Sequence, residues 1–210
     1  MSAQAPFANM TVAHLLGALE SPDPTPGGGT ASAVAGAMGA SLLVMVTGLA
    51  KSKTNSDDEK AALAEARAGI APLAGTLMQL ADADTAAFNA VMDAYRLPKA
   101  TDEDKAARTR AIQQALRGAT EVPLATLRAC VEAIDRGRAV AANGNRSAAS
   151  DVGVAIGLLK AAADGAAANV KINLDSIKDE VYRTATADAL STLVAQAAAQ
   201  AADGLQALSN

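Results

Sequence analysis

The most distinctive pattern in the chain is a long uncharged stretch, residues 30–50, that lies between charged regions. Its residues are small or apolar. Just before it, prolines alternate with other residues, and Gly27, Gly28 and Gly29 then follow in a row. Proline lacks a backbone N–H and glycine takes backbone angles that other residues avoid. The pattern therefore predicts a tight loop that leads into the N-terminus of a buried helix.

Elsewhere, apolar residues recur at the three- and four-residue spacing of helices. Thr11 is predicted to cap a short helix, and Thr101 with the acidic residues after it is predicted to cap a long one. Further helices are predicted over residues 57–95, 152–170 and about 176–208, with a short connection at residues 171–175. No segment alternates for long enough to form a sheet. The pattern predicts an all-α fold, an up-and-down bundle of long helices in a single domain spanning residues 1–210.

The composition favours helices and a partner subunit. Aromatic residues make up 2% of the chain, tryptophan is absent and alanine is very frequent. Sheets favour β-branched and aromatic residues, so this composition disfavours them. Small side chains let helices approach closely, but each buries little apolar area. We therefore expect an oligomer, most simply a symmetric homodimer.

Charge and residue counts exclude several classes of function. The net charge is −4, and no basic stripe with aromatic residues is present, so no nucleic-acid partner is expected. Cys130 and His14 are the only residues of their types, which disfavours a Cys/His metal site and histidine-based triads. Acid–base chemistry must come from Asp, Glu, Lys or Tyr, and no metal or cofactor is expected. A single cysteine and no signal peptide favour the cytoplasm.

The glycine loop and the uncharged helix each leave alternatives open. A phosphate-binding P-loop would need Gly-Lys-Ser/Thr, whereas Thr30 and Ala31 follow the glycines here. No strand precedes the loop, so a dinucleotide fingerprint is also excluded. A plain helix-start loop remains open. The uncharged stretch is long enough to span a bilayer, but its strongly apolar part is confined to residues 42–46, so a buried central helix and no membrane partner are favoured.

A few polar residues in apolar surroundings are candidates for chemistry. Asp84 lies one helical turn before Phe88, and Asp151 begins the second uncharged helix. Asn169 and Asn173 bracket the end of that helix. The ordinary alternatives are a solvated carboxylate, a helix-dipole partner and structural amide hydrogen bonds.

Five motifs in order along the chain resemble one family. These are PTPGGGTASAVAGAMGASL, DTAAFNAVMDAYRLPK, EVPLATLRAC, GNRSAASDVGVA and NVKINL. Together they resemble the C-terminal family of formiminotransferase-cyclodeaminases, and within it the stand-alone bacterial methenyltetrahydrofolate cyclohydrolases. The resemblance implies a mostly helical, dimeric subunit that binds a folate near the glycine loop.

The resemblance also implies roles for individual residues. The catalytic candidates are Asp84 as base or electrostatic partner, Lys53 as proton donor or orienting group, and Asp151 as support. The glycine loop and three asparagines are expected to bind the pterin or its linker, and Lys99 the glutamate tail. The implied substrate-binding residues are Thr25, Pro26, Gly27, Gly28, Gly29, Lys99, Asn145, Asn169 and Asn173.

The implied reaction is hydrolysis of 5,10-methenyltetrahydrofolate to 10-formyltetrahydrofolate. The substrate is a cation, so a carboxylate can hold it and take a proton from the attacking water. Formiminotetrahydrofolate cyclodeaminase, which closes the same ring and releases ammonia, is the nearest alternative. A folate-binding or helical interaction subunit without turnover is a third.

Overall fold

The computed structural model describes residues 6–49 and 56–209, and within these ranges every regular element is a helix. A 3-10 turn, Phe7–Asn9, precedes the first helix, and a second one, Arg146–Ala148, precedes the fifth. The six α-helices are α1 (Val12–Glu20), α2 (Gly28–Thr47), α3 (Asp57–Arg96), α4 (Asp102–Asn143), α5 (Ala149–Leu174) and α6 (Glu180–Ala207).

Local capping residues set where several helices begin. Thr11 accepts a hydrogen bond from the His14 backbone N–H at the start of α1. Thr101 and Asp104 exchange side-chain and backbone hydrogen bonds at the start of α4, as the sequence predicts. Such a capping box satisfies two backbone N–H groups that the helix itself leaves unpaired.

Several predicted helix boundaries are wrong, among them the start of α2 and the end of α5. Helix α2 begins at Gly28, two positions before the predicted start. Helix α5 continues through the predicted connection to Leu174, and the actual connection, residues 175–179, follows it. The amide of Asn173 donates to the carbonyl of Ala119 in α4 at 2.7 Å, a tertiary contact that holds this last helical turn in place.

Helix α2 packs extensively against α3 and α5 and more lightly against α4. Glycine makes this approach possible: a methyl group at Gly39 would lie 2.7 Å from the carbonyl oxygen of Ala155, which is too close. Ser32 near the start of α2 lies beside Gly165 late in α5, and Gly39 further along α2 lies beside Ala155 early in α5. The two helices are therefore antiparallel.

The predicted fold class is confirmed: the chain is an all-α bundle of long helices. Its core consists of fully buried aliphatic side chains, among them Leu43, Ile70, Leu77, Leu127 and Ile134. Helix α2 is long and apolar enough to cross a membrane by length and composition, yet 56% of it is buried inside the protein. That burial is typical of the core helix of a bundle.

Candidate active site

The carboxylate of Asp84 lies against the N-terminal turn of α2. The hydroxyl of Thr30 donates to Asp84 Oδ2 at 3.2 Å, and it also lies 3.4 Å from the carbonyl oxygen of Ala81 and 3.3 Å from the hydroxyl of Thr85. Thr30 is completely buried. A carboxylate at a helix N-terminus is stabilised by the positive end of the helix dipole. The hydrogen bonds from Thr30 therefore hold the Asp84 carboxylate against the first turn of α2.

Gly29 makes this arrangement possible. A Cβ atom at position 29 would overlap all three carboxyl atoms of Asp84. The neighbouring Gly28 differs, because a Cβ atom there would meet nothing within 4 Å. Only the second of these two glycines is needed for close approach of the carboxylate to the α2 backbone.

The environment of Asp84 favours a carboxyl group that can exchange a proton. Burial raises the pKa of Asp84 above its ordinary value, while hydrogen bonds from the Thr30 hydroxyl and backbone N–H offset part of that rise. Among residues 6–49 and 56–209, no lysine or arginine forms an ion pair with it. A half-buried carboxylate without a cationic partner is suited to a cationic ligand.

The loop before α2, residues 25–29, is called here the glycine corner. The peptide bond between Thr25 and Pro26 is cis, and Pro26 is buried. Gly27 occupies the N-cap position and has no side chain to accept a hydrogen bond from the first turn. Because a helix leaves its first N–H groups unpaired, this end of α2 offers donors to a ligand next to Asp84.

The two asparagines of α5 lie at the same end of α2. Gly165 packs against Ser32, and Asn169 is one turn further along the same face of α5, toward the glycine corner. Asn169 donates to the carbonyl of Gly165 at 2.9 Å. The amide group of Asn173 donates to the backbone of α4. Asn169 is thus placed near the corner, and Asn173 ties α5 to α4.

Asn145 and Asp151 lie at the opposite end of α2. A Cβ atom at Gly144, the residue before Asn145, would lie 3.1 Å from the side chain of Val46. Asp151 precedes Ala155 by one turn, and Ala155 contacts Gly39. At 1.5 Å per residue these levels are about 15 to 25 Å from Gly29. One subunit therefore does not bring Asn145 or Asp151 together with Asp84.

Lys99, one of the two candidate lysines, is also away from Asp84. Lys99 is exposed in the connection between α3 and α4, fifteen positions after Asp84. Twelve helical residues separate Asp84 from the end of α3, a rise of about 18 Å. Lys53 lies outside the described residues.

Sequence reasoning did not single out Thr30 or Thr85. Both are buried, and together they connect Asp84 to α2 and to its own helix α3. The available signal was a threonine directly after three glycines, at the start of a stretch without charge. A buried hydroxyl needs hydrogen-bond partners, so this position was a candidate.

The arrangement can hold a cation and move a proton. Within the part of the chain that the structure describes, no group of three Asp, Glu, His or Cys residues is placed to hold a metal ion. The groups at the site are one carboxylate, two hydroxyls, helix N-terminal amides and the amide of Asn169. These can bind a positively charged group through the carboxylate and polar ring atoms through the amides.

Comparisons with known proteins place the chain among folate enzymes by similarity of sequence and fold. The chain is 43% identical to a methenyltetrahydrofolate cyclohydrolase of Methylorubrum extorquens, over 91% of this chain and 92% of that protein. It is 35% identical to the formimidoyltransferase-cyclodeaminase of Gallus gallus over 82% of this chain, but only 32% of that longer protein. The crystal structure of formiminotetrahydrofolate cyclodeaminase from Thermotoga maritima superimposes with a TM-score of 0.85 at 27% identity, covering 96% of this chain and 97% of that one.

The sequence model of the formiminotransferase-cyclodeaminase family matches residues 11–192, which include the glycine corner, Asp84 and both asparagines of α5. The chain belongs to the formiminotransferase-cyclodeaminase family.

Proposed function

We propose that this protein hydrolyses 5,10-methenyltetrahydrofolate to 10-formyltetrahydrofolate. The observation that carries the proposal is the half-buried carboxylate of Asp84, which has no cationic partner among the described residues and faces the open N-terminus of α2. The similarity to the Methylorubrum cyclohydrolase extends over nearly the full length of both proteins and supports the same reaction.

The reaction needs one group that accepts and returns a proton. A water oxygen forms a bond to the carbon that bridges N5 and N10 while Asp84 takes a proton from that water. The bond between this carbon and N5 then breaks, its electron pair goes to N5, and N5 takes a proton. Of the two water protons one ends on N5 and the other is released, which balances the charge of the cationic substrate.

Asp84 also stabilises the substrate cation electrostatically, since its carboxylate carries the opposite charge in a partly desolvated place. The raised pKa brings the carboxyl closer to the pH at which it can return a proton. The backbone N–H groups at the glycine corner and the amide of Asn169 bind the pterin. Asn145, Asn173 and Lys99 remain candidates for the linker and glutamate tail, and Lys53 remains a candidate for a supporting catalytic group. Asp151 lies toward the other end of α2 within the subunit.

The experiment follows the methenyl chromophore with purified protein. Loss of absorbance identifies hydrolysis. Appearance of absorbance from 5-formiminotetrahydrofolate, with release of ammonia, identifies cyclodeamination. No change in either direction, with folate binding by calorimetry, identifies a binding protein. The Asp93→Asn variant is a matched control for Asp84→Asn, because Asp93 is an exposed carboxylate on the same helix.

Cyclodeamination remains the second candidate, favoured by the Thermotoga structure. In that reaction N10 attacks the formimino carbon and the carbon–nitrogen bond to the leaving ammonia breaks. Asp84 serves there by holding the developing cation and transferring protons. We further propose a homodimer that works without an added cofactor, nucleic acid or membrane. We also propose that it works in the cytoplasm, which the single thiol of Cys130 supports.

A further inference from the structure

The chain before the glycine corner is attached to the bundle at two places. Residues 7–26 are called here the N-terminal strap. Phe7 at its start is 4% exposed, and Pro26 at its end is also buried. Between these two residues none is buried, and α1, which lies within the strap, has no buried residue. A segment with so few buried contacts is positioned mainly by its two ends.

Phe7 attaches the start of the strap between two helices of the bundle. Its ring packs with Ala33 of α2 and Ala81 of α3 in a small cluster that is separate from the main core. The two alanines leave room for one large ring, which buries a large apolar area there. Met10 and Leu15, later in the strap, lie against the same cluster. The cluster is therefore the point at which the start of the strap is attached.

A hydrogen bond holds the same residue to α3. The backbone N–H of Phe7 donates to Asp82 Oδ1 at 2.9 Å, across 75 positions of the chain. A carboxylate acceptor makes such a bond stronger than a neutral oxygen would. No lysine or arginine in residues 6–49 and 56–209 forms an ion pair with Asp82. The side chain of Asp82 therefore serves the strap, and the proposed reaction assigns it no other role.

This attachment lies one helical turn from the Asp84 site on both helices. Ala33 follows Gly29 by four positions in α2, and Ala81 precedes Asp84 by three positions in α3. Residues three or four apart are neighbours on one face of a helix. Because Asp84 lies against Gly29, Phe7 packs beside the pair on which the proposed site is built.

The other end of the strap is the glycine corner itself. Thr25 is half-buried and Pro26 is buried, whereas residues 22–24 before them are exposed. The corner is therefore restrained on one side by α2 and on the other by a strap whose further anchor is Phe7. If that anchor is lost, the residues before Pro26 have no other buried anchor and sample many more conformations.

We propose that Asp82 and Phe7 are positioning residues for the folate site: they hold the N-terminal strap on α2 and α3 and so keep the glycine corner in the conformation that binds the pterin. The assignment rests on the proposed function, in which backbone N–H groups of the corner bind the pterin. Neither residue is assigned to the reacting atoms. Loss of the anchor therefore weakens folate binding, which raises KM, and leaves the proton transfers of Asp84 largely unchanged.

The first test removes the hydrogen-bond acceptor. Asp82→Ala removes it, whereas Asp82→Asn retains an oxygen that can accept from the Phe7 N–H. Asp93→Ala is the control for loss of a carboxylate, because Asp93 is exposed on the same helix. The methenyl chromophore gives KM and kcat, circular dichroism gives the helix content, and hydrogen exchange read by mass spectrometry follows the peptide of residues 21–31.

For Asp82→Ala with wild-type helix content, we expect KM to rise at least about fivefold, kcat to change less than about twofold, and exchange in residues 21–31 to be at least about tenfold faster. Asp82→Asn should bring KM back to within about twofold of the wild type, and Asp93→Ala should behave like the wild type. The proposal is overturned by an unchanged KM or exchange rate in Asp82→Ala, by a fall in kcat larger than the rise in KM, or by an equal rise in KM in either of the other two variants.

A second pair of variants tests the ring. Phe7→Ala removes it, and Phe7→Leu keeps a large apolar side chain in the cluster with Ala33 and Ala81. Phe7→Ala should raise KM at least about fivefold, and Phe7→Leu should recover most of the loss, because it leaves a smaller cavity. A Phe7→Ala variant with the KM of the wild type would overturn the proposal even where Asp82→Ala does not fold.

Folate binding separates this proposal from the proposed function. The probe is 10-formyltetrahydrofolate, the product of the proposed reaction, titrated by calorimetry. A wild type without methenyl turnover contradicts the proposed function, yet a dissociation constant at least about fivefold higher in Asp82→Ala would still support the anchor. Equal dissociation constants in the wild type and Asp82→Ala, or no binding by either protein, would overturn it.

Discussion

The two ends of α2 are built from different chemistry although they belong to one uncharged helix. At the N-terminal end, backbone amides and the buried hydroxyl of Thr30 lie against the carboxylate of Asp84, which has no cationic partner within residues 6–49 and 56–209. At the C-terminal end, the guanidinium of Arg67 donates to the carbonyl of Val44 at 2.8 Å and to Thr47 at 3.3 Å. At the C-terminal end, the Arg67 cation therefore pairs with a carbonyl group of the last turn. At the N-terminal end, the backbone N–H groups of the first turn can bind a ligand.

With the proposed function, this difference lets one uncharged helix serve both as part of the core and as a binding element. The helix dipole favours negative charge at its start and positive charge at its end. At the end, the protein itself supplies the cation. At the start, the protein supplies the carboxylate of Asp84, which has no cationic partner among the described residues. The cationic substrate that we propose would supply the opposite charge.

The largest effect is expected at Asp84. Asp84→Asn removes the proton acceptor and the negative charge, so turnover should fall at least about a hundredfold. Steady-state loss of the methenyl chromophore measures this, with Asp93→Asn as the control. Wild-type turnover in a folded Asp84→Asn protein would remove Asp84 from the mechanism.

The same variant should be more stable than the wild type at neutral pH. Because burial raises the folded-state pKa of Asp84, the folded protein binds this proton more tightly than the unfolded chain does. That preference favours folding at low pH and is lost as pH rises from the ordinary value of 3.8 through the raised one. Urea unfolding of both proteins at several pH values should show the gain of Asp84→Asn growing over this window; a pH-independent difference would contradict the shift.

The next largest effect is expected at Gly29. Gly29→Ala forces a methyl group into the Asp84 carboxylate, which should cost about 1–3 kcal/mol of stability and lower turnover at least about tenfold. Gly28→Ala is the matched control, since its methyl group meets nothing. Equal turnover of the two variants would show that the contact between Gly29 and Asp84 has no functional role.

A smaller effect is expected at Thr30. Thr30→Val removes the hydroxyl that lowers the pKa of Asp84, so that pKa should rise further. The acid limb of the pH–rate profile should then move to higher pH, with turnover on the plateau reduced less than about tenfold. Thr85→Val, which loses no hydrogen bond to Asp84, should leave the limb in place. An unmoved limb in Thr30→Val would assign it to another group.

The smallest effect is expected at the far end. Asp151 lies in the first turn of α5, where its carboxylate suits the helix dipole. Asp151→Asn should cost about 0.3–1 kcal/mol of stability and reduce turnover far less than Asp84→Asn does. Thermal unfolding and the chromophore assay measure the two effects. A loss as large as that of Asp84→Asn would place Asp151 directly at the reacting atoms.

Much of the fold could be predicted from local signals. Thr11 and Thr101 cap the helices that the sequence assigns to them, because capping is decided within four residues. The end of α5 was predicted too early, because the contact of Asn173 with Ala119 joins positions 54 apart in the chain. No local pattern reveals such a contact.

The candidate site could also be predicted only in part from the sequence. The sequence marked Asp84 and the glycine corner as candidates but could not pair them, since only packing of α3 on α2 brings Asp84 to Gly29. The support from Thr30 and the distance of Asp151 from Asp84 follow from the same packing.

The amino-acid sequence by itself determined an all-helical chain with a long uncharged helix, a glycine-rich start to that helix and an acid–base chemistry limited to carboxylates, lysines and tyrosines. These properties depend on composition and on periodicity over a few turns. The tertiary structure decided which carboxylate is desolvated and which glycine admits it. Those outcomes depend on close contacts between helices far apart in the chain, and small side chains make such contacts without leaving a distinctive local pattern.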